Sequence, residues 1–132
     1  MRVEGWESKL AAYINDAFHK DFVWGQHDCA LWCAEWVRQA TGEDFLSDWV
    51  GLYDSEESAF ALMKSRGFNL PADIADAHLE RIDPRMAKRG DLLLHPERHT
   101  LGICVGMHGV FLASPSGTIV SKTTNCPLAW RV

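Results

Sequence analysis

Long apolar runs are missing from this 132-residue chain; no stretch approaches the ~20 residues that a membrane-spanning helix needs. The opening Met-Arg-Val-Glu-Gly-Trp also lacks the uninterrupted apolar segment of a signal peptide. Basic excess is absent. The net charge is −5, and the one short cluster, Arg85, Lys88 and Arg89, forms no stripe that would track a phosphate backbone, which argues against nucleic acid as a partner. Repeats, low-complexity tracts and linkers are absent, so residues 1–132 read as one domain. Cysteine is sparse. Cys29, Cys33, Cys104 and Cys126 are expected as thiols, in a chain made and folded in a reducing cytoplasm.

What is present is an ordinary globular composition with 47% hydrophobic and 23% charged residues, enough for one modest core. Six tryptophans are many for this length. Indoles carry core packing, and they also line carbohydrate and protein contact surfaces.

Helices come first along the chain. Trp6, Leu10, Tyr13, Ile14, Ala17 and Phe18 fall on one helical face. Asp28 is a good N-cap for a second helix that runs to about Thr41 and stops at Gly42; its apolar face carries Cys29, Cys33, Trp36, Val37 and Ala40. A third helix begins after Asp54 or Ser55, with Glu56 and Glu57 in its first turn, and ends at Gly67. A short fourth is placed between Pro71 and His78.

After Gly90 the pattern changes to strands. Leu92–Leu94, Leu101–Val105, Val110–Ala113 and Thr118–Val120 are separated by tight turns, and Leu128–Val132 closes the chain as a last strand. Three or four short antiparallel strands are expected from these connections. The class is α+β.

Asp28-Cys29 is the segment with chemical content. A cysteine in the first helical turn lies beside unpaired backbone N–H groups and the positive end of the helix dipole. Both favour a thiolate, so a lowered pKa and a nucleophilic Cys29 are expected, with the N–H groups available to an oxyanion. Buried as a small hydrophobe, the same cysteine would do no chemistry. A base should come from a strand opposite. His99, before the Leu101 strand, is best placed; His95, His108 and His27 are the other candidates, and His19 and His78 have no supporting context. A zinc ion on Cys29, Cys33 and a histidine is disfavoured by the in-helix spacing. A Cys104–Cys126 disulfide is disfavoured by the compartment.

Four segments, in order, carry a resemblance. They are Phe22–Asp44 (FVWGQHDCALWCAEWVRQATGED), Ala87–Asp91 (AKRGD), Leu101–Gly106 (LGICVG) and the terminal Ala129–Val132. Together they resemble the NlpC/P60 cysteine peptidases, in the compact version found in phage and prophage tail modules. The resemblance implies a papain-like fold, with the cysteine helix packed on an antiparallel sheet. It implies a thiol hydrolase that cleaves amide bonds in peptidoglycan stem peptides, with Cys29 as nucleophile, a histidine as base, and neither metal nor cofactor. Phage tail-tip proteins would be its neighbours, in a virion.

Cys29 carries over directly. With Gly102 aligned, the family's histidine position holds Thr100, and His99 lies one residue earlier, where a bulge before Leu101 would be needed to aim it at Cys29. The family's third polar position falls near Leu112. These departures open an alternative: a catalytically degenerate structural part of a tail tip, binding its neighbours through a tryptophan-rich surface.

Overall fold

The computed structural model describes residues 1–132. The helices are α1 (Trp6–Ala17), α2 (Cys29–Thr41), α3 (Glu56–Ser65) and α4 (Pro71–His78). The strands are β1 (Glu80–Ile82), β2 (Leu92–Leu94), β3 (Leu101–Cys104), β4 (His108–Ala113), β5 (Gly117–Lys122) and β6 (Ala129–Arg131). They form one six-stranded antiparallel sheet in the order β1-β6-β2-β3-β4-β5. The fold is α+β.

The helix boundaries follow from capping chemistry. Asp28 accepts the Leu31 N–H at the start of α2, and Gly42, at φ +86°, ends it in the left-handed conformation that glycine adopts without penalty. Ser55 and Ser58 close a reciprocal capping box on α3. That helix ends at Ser65, with Arg66 as its cap, so Gly67 lies just beyond it.

Six strands form where the sequence suggested three or four and a last one at Leu128–Val132. β1 was missed because it pairs only with β6 at the sheet's edge and is largely exposed, so its three residues carry no apolar alternation. His108, placed in a turn by sequence, is the first residue of β4. Val105 lies just past the end of β3.

Both faces of the sheet are covered. Leu92, Leu94, Leu101, Ile103, Val110, Leu112 and Trp130 face the helices, packing with Cys29, Trp32, Trp36 and Val37 of α2. Leu93, Cys104, Phe111, Cys126 and Ala129 fill the opposite face under Ile82, Ala87 and Ile119. This is why Leu92-Leu93-Leu94 is apolar at every position and wholly buried. Cys104 and Cys126 share that second cluster as free thiols.

Four of the six tryptophans, Trp32, Trp36, Trp49 and Trp130, are buried, and Trp6 and Trp24 are half-buried. The tryptophan-rich surface allowed by sequence is therefore not formed; these indoles are mostly core. Two of them also tie layers together. Trp36 Nε1 donates to the Gly90 carbonyl (2.8 Å), joining α2 to the start of β2, and Trp130 Nε1 donates to Asp76 Oδ1 (2.9 Å), joining β6 to α4.

The Gly90-Asp91 pair has a structural cause. Asp91 is buried, and its carboxylate accepts from Arg2 Nη2 (2.9 Å), the Val132 N–H (3.0 Å) and the Lys88 N–H (2.9 Å). A buried carboxylate needs this full set of donors. It pins both chain ends to the sheet.

Trp36→Ala is expected to cost about 3–5 kcal/mol, since it empties a fully buried site and orphans the Gly90 carbonyl. Urea unfolding followed by circular dichroism measures it; a loss under about 1 kcal/mol would contradict this placement.

Candidate active site

Two glycine turns set the start of α2. Gly25 takes φ +79°, and a Cβ there would stand 1.9 Å from the Tyr53 carbonyl oxygen. The Gly51 N–H donates to the Gly25 carbonyl (2.9 Å). The segment before α3 is thereby clamped onto the turn that leads into Cys29.

Asp28 sits at the centre of this junction, 1% exposed. Its Oδ1 accepts the Leu31 N–H (3.0 Å), and its Oδ2 accepts the Gly25 N–H (2.9 Å) and the Tyr53 hydroxyl. Three donors converge on one carboxylate.

Cys29 follows, buried against β3 and β4 with 9% of its surface exposed. Burial, and then the Asp28 charge, push its thiol up to about 12; the N–H groups of Leu101, Ala30 and Cys29 itself pull the other way. The sequence expectation of a lowered pKa is thus corrected: burial raises it. The backbone donors are present, but desolvation outweighs them. Cys33, one turn on, is buried too, and its thiol is likewise raised by burial.

Cys29 opens onto a cavity of about 270 Å³. Trp49, Ala59, Met63 and Ile74 give it a buried apolar floor, with Phe60 beside them. Glu56, Arg98, His99 and Ser114 are exposed on its rim. The volume lies near the lower end of small-molecule pockets and suits a group of about residue size.

His99 therefore reaches the same cavity as Cys29, and Thr100 and Leu112, the other two aligned positions, line it as well. The route is not the bulge considered from sequence. β3 begins only at Leu101, and a loop closed by the His95 N–H donating to the Thr100 carbonyl (2.9 Å) carries His99 to the rim. No hydrogen bond joins His99 to the Cys29 sulfur. Leu112, 1% exposed, offers no polar atom to orient an imidazole.

The other histidines lie elsewhere. His95 packs edge-on against Phe111, ring centroids 5.0 Å apart, and its Nδ1 accepts the Glu97 N–H. His108 is exposed beside Val120 at the far side of β4, and His78 stacks on Phe45. His27 bridges back to Val23; its Nε2 is buried without a partner, and burial lowers its pKa. None of them lines the Cys29 cavity. No three His, Cys, Asp or Glu side chains are grouped as metal ligands.

Over residues 1–132 the sequence matches the family described as "Domain of unknown function (DUF6950)". The chain belongs to the DUF6950 family. No curated protein matches it.

Tyr53, Glu56 and Arg98 also line this cavity of the DUF6950 domain, and sequence reasoning did not single them out for it. Tyr53 lies between elements, where no periodicity marks it. Arg98 adjoins His99, and Glu56 stands in the first turn of α3, but only the fold brings them to one opening.

Two glycine substitutions separate contact from strain. Gly25→Ala meets both a positive φ and the Tyr53 backbone, and is expected to cost more than about 2 kcal/mol. Gly51→Ala meets only its φ of +77°, with no atom nearer than Gln26 Nε2 at 3.7 Å, and should cost about 1 kcal/mol. Equal losses in urea unfolding would contradict the clamp between Gly25 and Tyr53.

Proposed function

We propose that the protein is an NlpC/P60-like thiol hydrolase of a phage or prophage tail module, on a papain-like fold, cleaving amide bonds in peptidoglycan stem peptides. The observation that carries this reading is the shared cavity. Cys29, at the start of a capped helix, and His99, on a loop of the facing sheet, open onto one residue-sized space.

In this reading the Cys29 sulfur attacks the scissile carbonyl carbon as its proton passes to His99. The tetrahedral oxyanion is held by backbone N–H groups at the helix start. When the C–N bond breaks, His99 returns the proton to the departing amine and leaves a thioester on Cys29. His99 then takes a proton from water, the resulting hydroxide attacks the thioester, and the carboxylate product and the thiol are restored. His99 closes on the sulfur once substrate fills the cavity; catalytic hydrogen bonds often tighten only in the complex. The neighbours would be tail-tip proteins, and the working location the virion.

A second reading is favoured by the raised Cys29 thiol and by Leu112: the same fold retained as a catalytically silent tail-tip part. Since most of the tryptophans are core, its contacts would use other exposed apolar residues, such as Val50 and Leu52.

Purified peptidoglycan incubated with the protein and read by mass spectrometry separates the two. The hydrolase reading expects new stem-peptide amines, abolished in Cys29→Ala and reduced at least about a hundredfold in His99→Ala. Release that survives Cys29→Ala would overturn it. No release from several wall types would leave the silent reading standing.

A further inference from the structure

Tyr53 is a second phenol with a different task from Tyr13, whose hydroxyl donates to the Trp32 carbonyl within the helix layer. Tyr53 sits before α3, 8% exposed, on the wall of the Cys29 cavity. Its hydroxyl donates to Asp28 Oδ2, the carboxylate next in sequence to the nucleophile position. Its backbone bears on Gly25, and its segment is tied there by the Gly51 N–H. A residue remote in sequence thus grips the helix start through its hydroxyl and its backbone, and Gly51 ties the same segment there.

We infer that Tyr53 is a positioning residue for Cys29: its hydroxyl draws charge from Asp28 and so sets how readily the neighbouring thiolate forms. This rests on the reading of Cys29 as the reacting group. The charged and titratable groups around Cys29 are few. Asp28 and Cys33 come from its own helix and that helix's cap, Tyr53 from the segment before α3, Glu56 from α3, and Arg98 and His99 from the loop before β3. The facing strand positions, Leu101 and Leu112, are apolar. Asp28 is the charge that acts on the sulfur, and it opposes the thiolate. Each donor to Asp28 lessens that opposition. Removing the Tyr53 hydroxyl leaves two N–H donors and a stronger negative field at Cys29.

A purely structural role predicts the opposite sign. If Tyr53 only holds the junction closed, its loss would loosen the helix start, expose Cys29 and speed its modification.

The test is Cys29 alkylation by iodoacetamide from pH 6 to 11, quantified by mass spectrometry of the full-length protein. Tyr53→Phe is expected to slow labelling at pH 8 about three- to tenfold and to move the profile's midpoint upward. Site-specific 3,5-difluorotyrosine at position 53 donates more strongly, keeps the ring, and is expected to speed labelling. Should Tyr53→Phe not fold, the difluorotyrosine arm decides alone. A Tyr53→Phe protein that labels as fast as wild type or faster overturns the inference. So does slowing by difluorotyrosine, or a Cys29 unlabelled in every form. His99→Ala, run alongside, tests the hydrolase reading separately. If it leaves the profile unmoved while the Tyr53 arms shift with the expected signs, the base is lost and the Tyr53 assignment stands.

Discussion

A carboxylate taken out of water has to be met by donors, and the arrangement around Cys29 follows from how Asp28 meets that demand. Its two oxygens take a helix N–H, a turn N–H and a phenol. The first fixes where α2 begins, the second fixes the Gly25 turn, and the third draws in the segment before α3. Each of these is weak alone, at about 1–3 kcal/mol. Together they leave the carboxylate no cheap alternative, because releasing any donor orphans a buried charge. Asp91 repeats the device on the sheet side, where Arg2 and two backbone N–H groups hold the chain ends. The helix layer and the sheet are each anchored by one satisfied buried aspartate.

That anchoring explains which parts of the fold could be read from sequence. Asp28, Ser55, Gly42 and Pro71, the first residue of α4, announce helix boundaries through short-range chemistry, and the boundaries fall where that chemistry puts them. The strands after Gly90 were legible because apolar residues are confined to short runs between glycine and proline turns. β1 was not, since an exposed edge strand needs only backbone partners and leaves no side-chain pattern. The tryptophan count was legible but its meaning was not. Whether an indole faces the core or a partner depends on neighbours such as Asp76 and Gly90, far away in sequence.

The site shows the same division. Cys29 at a helix start is a local fact and was readable. The cavity is not local: its walls come from the segments around Phe22, Trp49, Met63, Ile74 and His99. Strand alternation was the wrong tool for His99, because that residue belongs to a closed loop and not to β3. The burial of Cys29 could not be read either, and burial is what reverses the expected direction of its pKa.

That reversal bears on the order of events in any reaction at Cys29. With the thiol pushed up to about 12, a free thiolate at neutral pH is strongly disfavoured. Burial and then the Asp28 charge both oppose a resting thiolate at Cys29. In the proposed hydrolase the proton would leave as the sulfur attacks, which calls for a base at the cavity rim. His99 is the one histidine on that rim. Leu112 cannot steer its ring, so orientation would have to come from the bound substrate, with Arg98 and Glu56 at the opening to hold it. In the proposed hydrolase, turnover at Cys29 would therefore depend on a substrate that brings His99 to the sulfur.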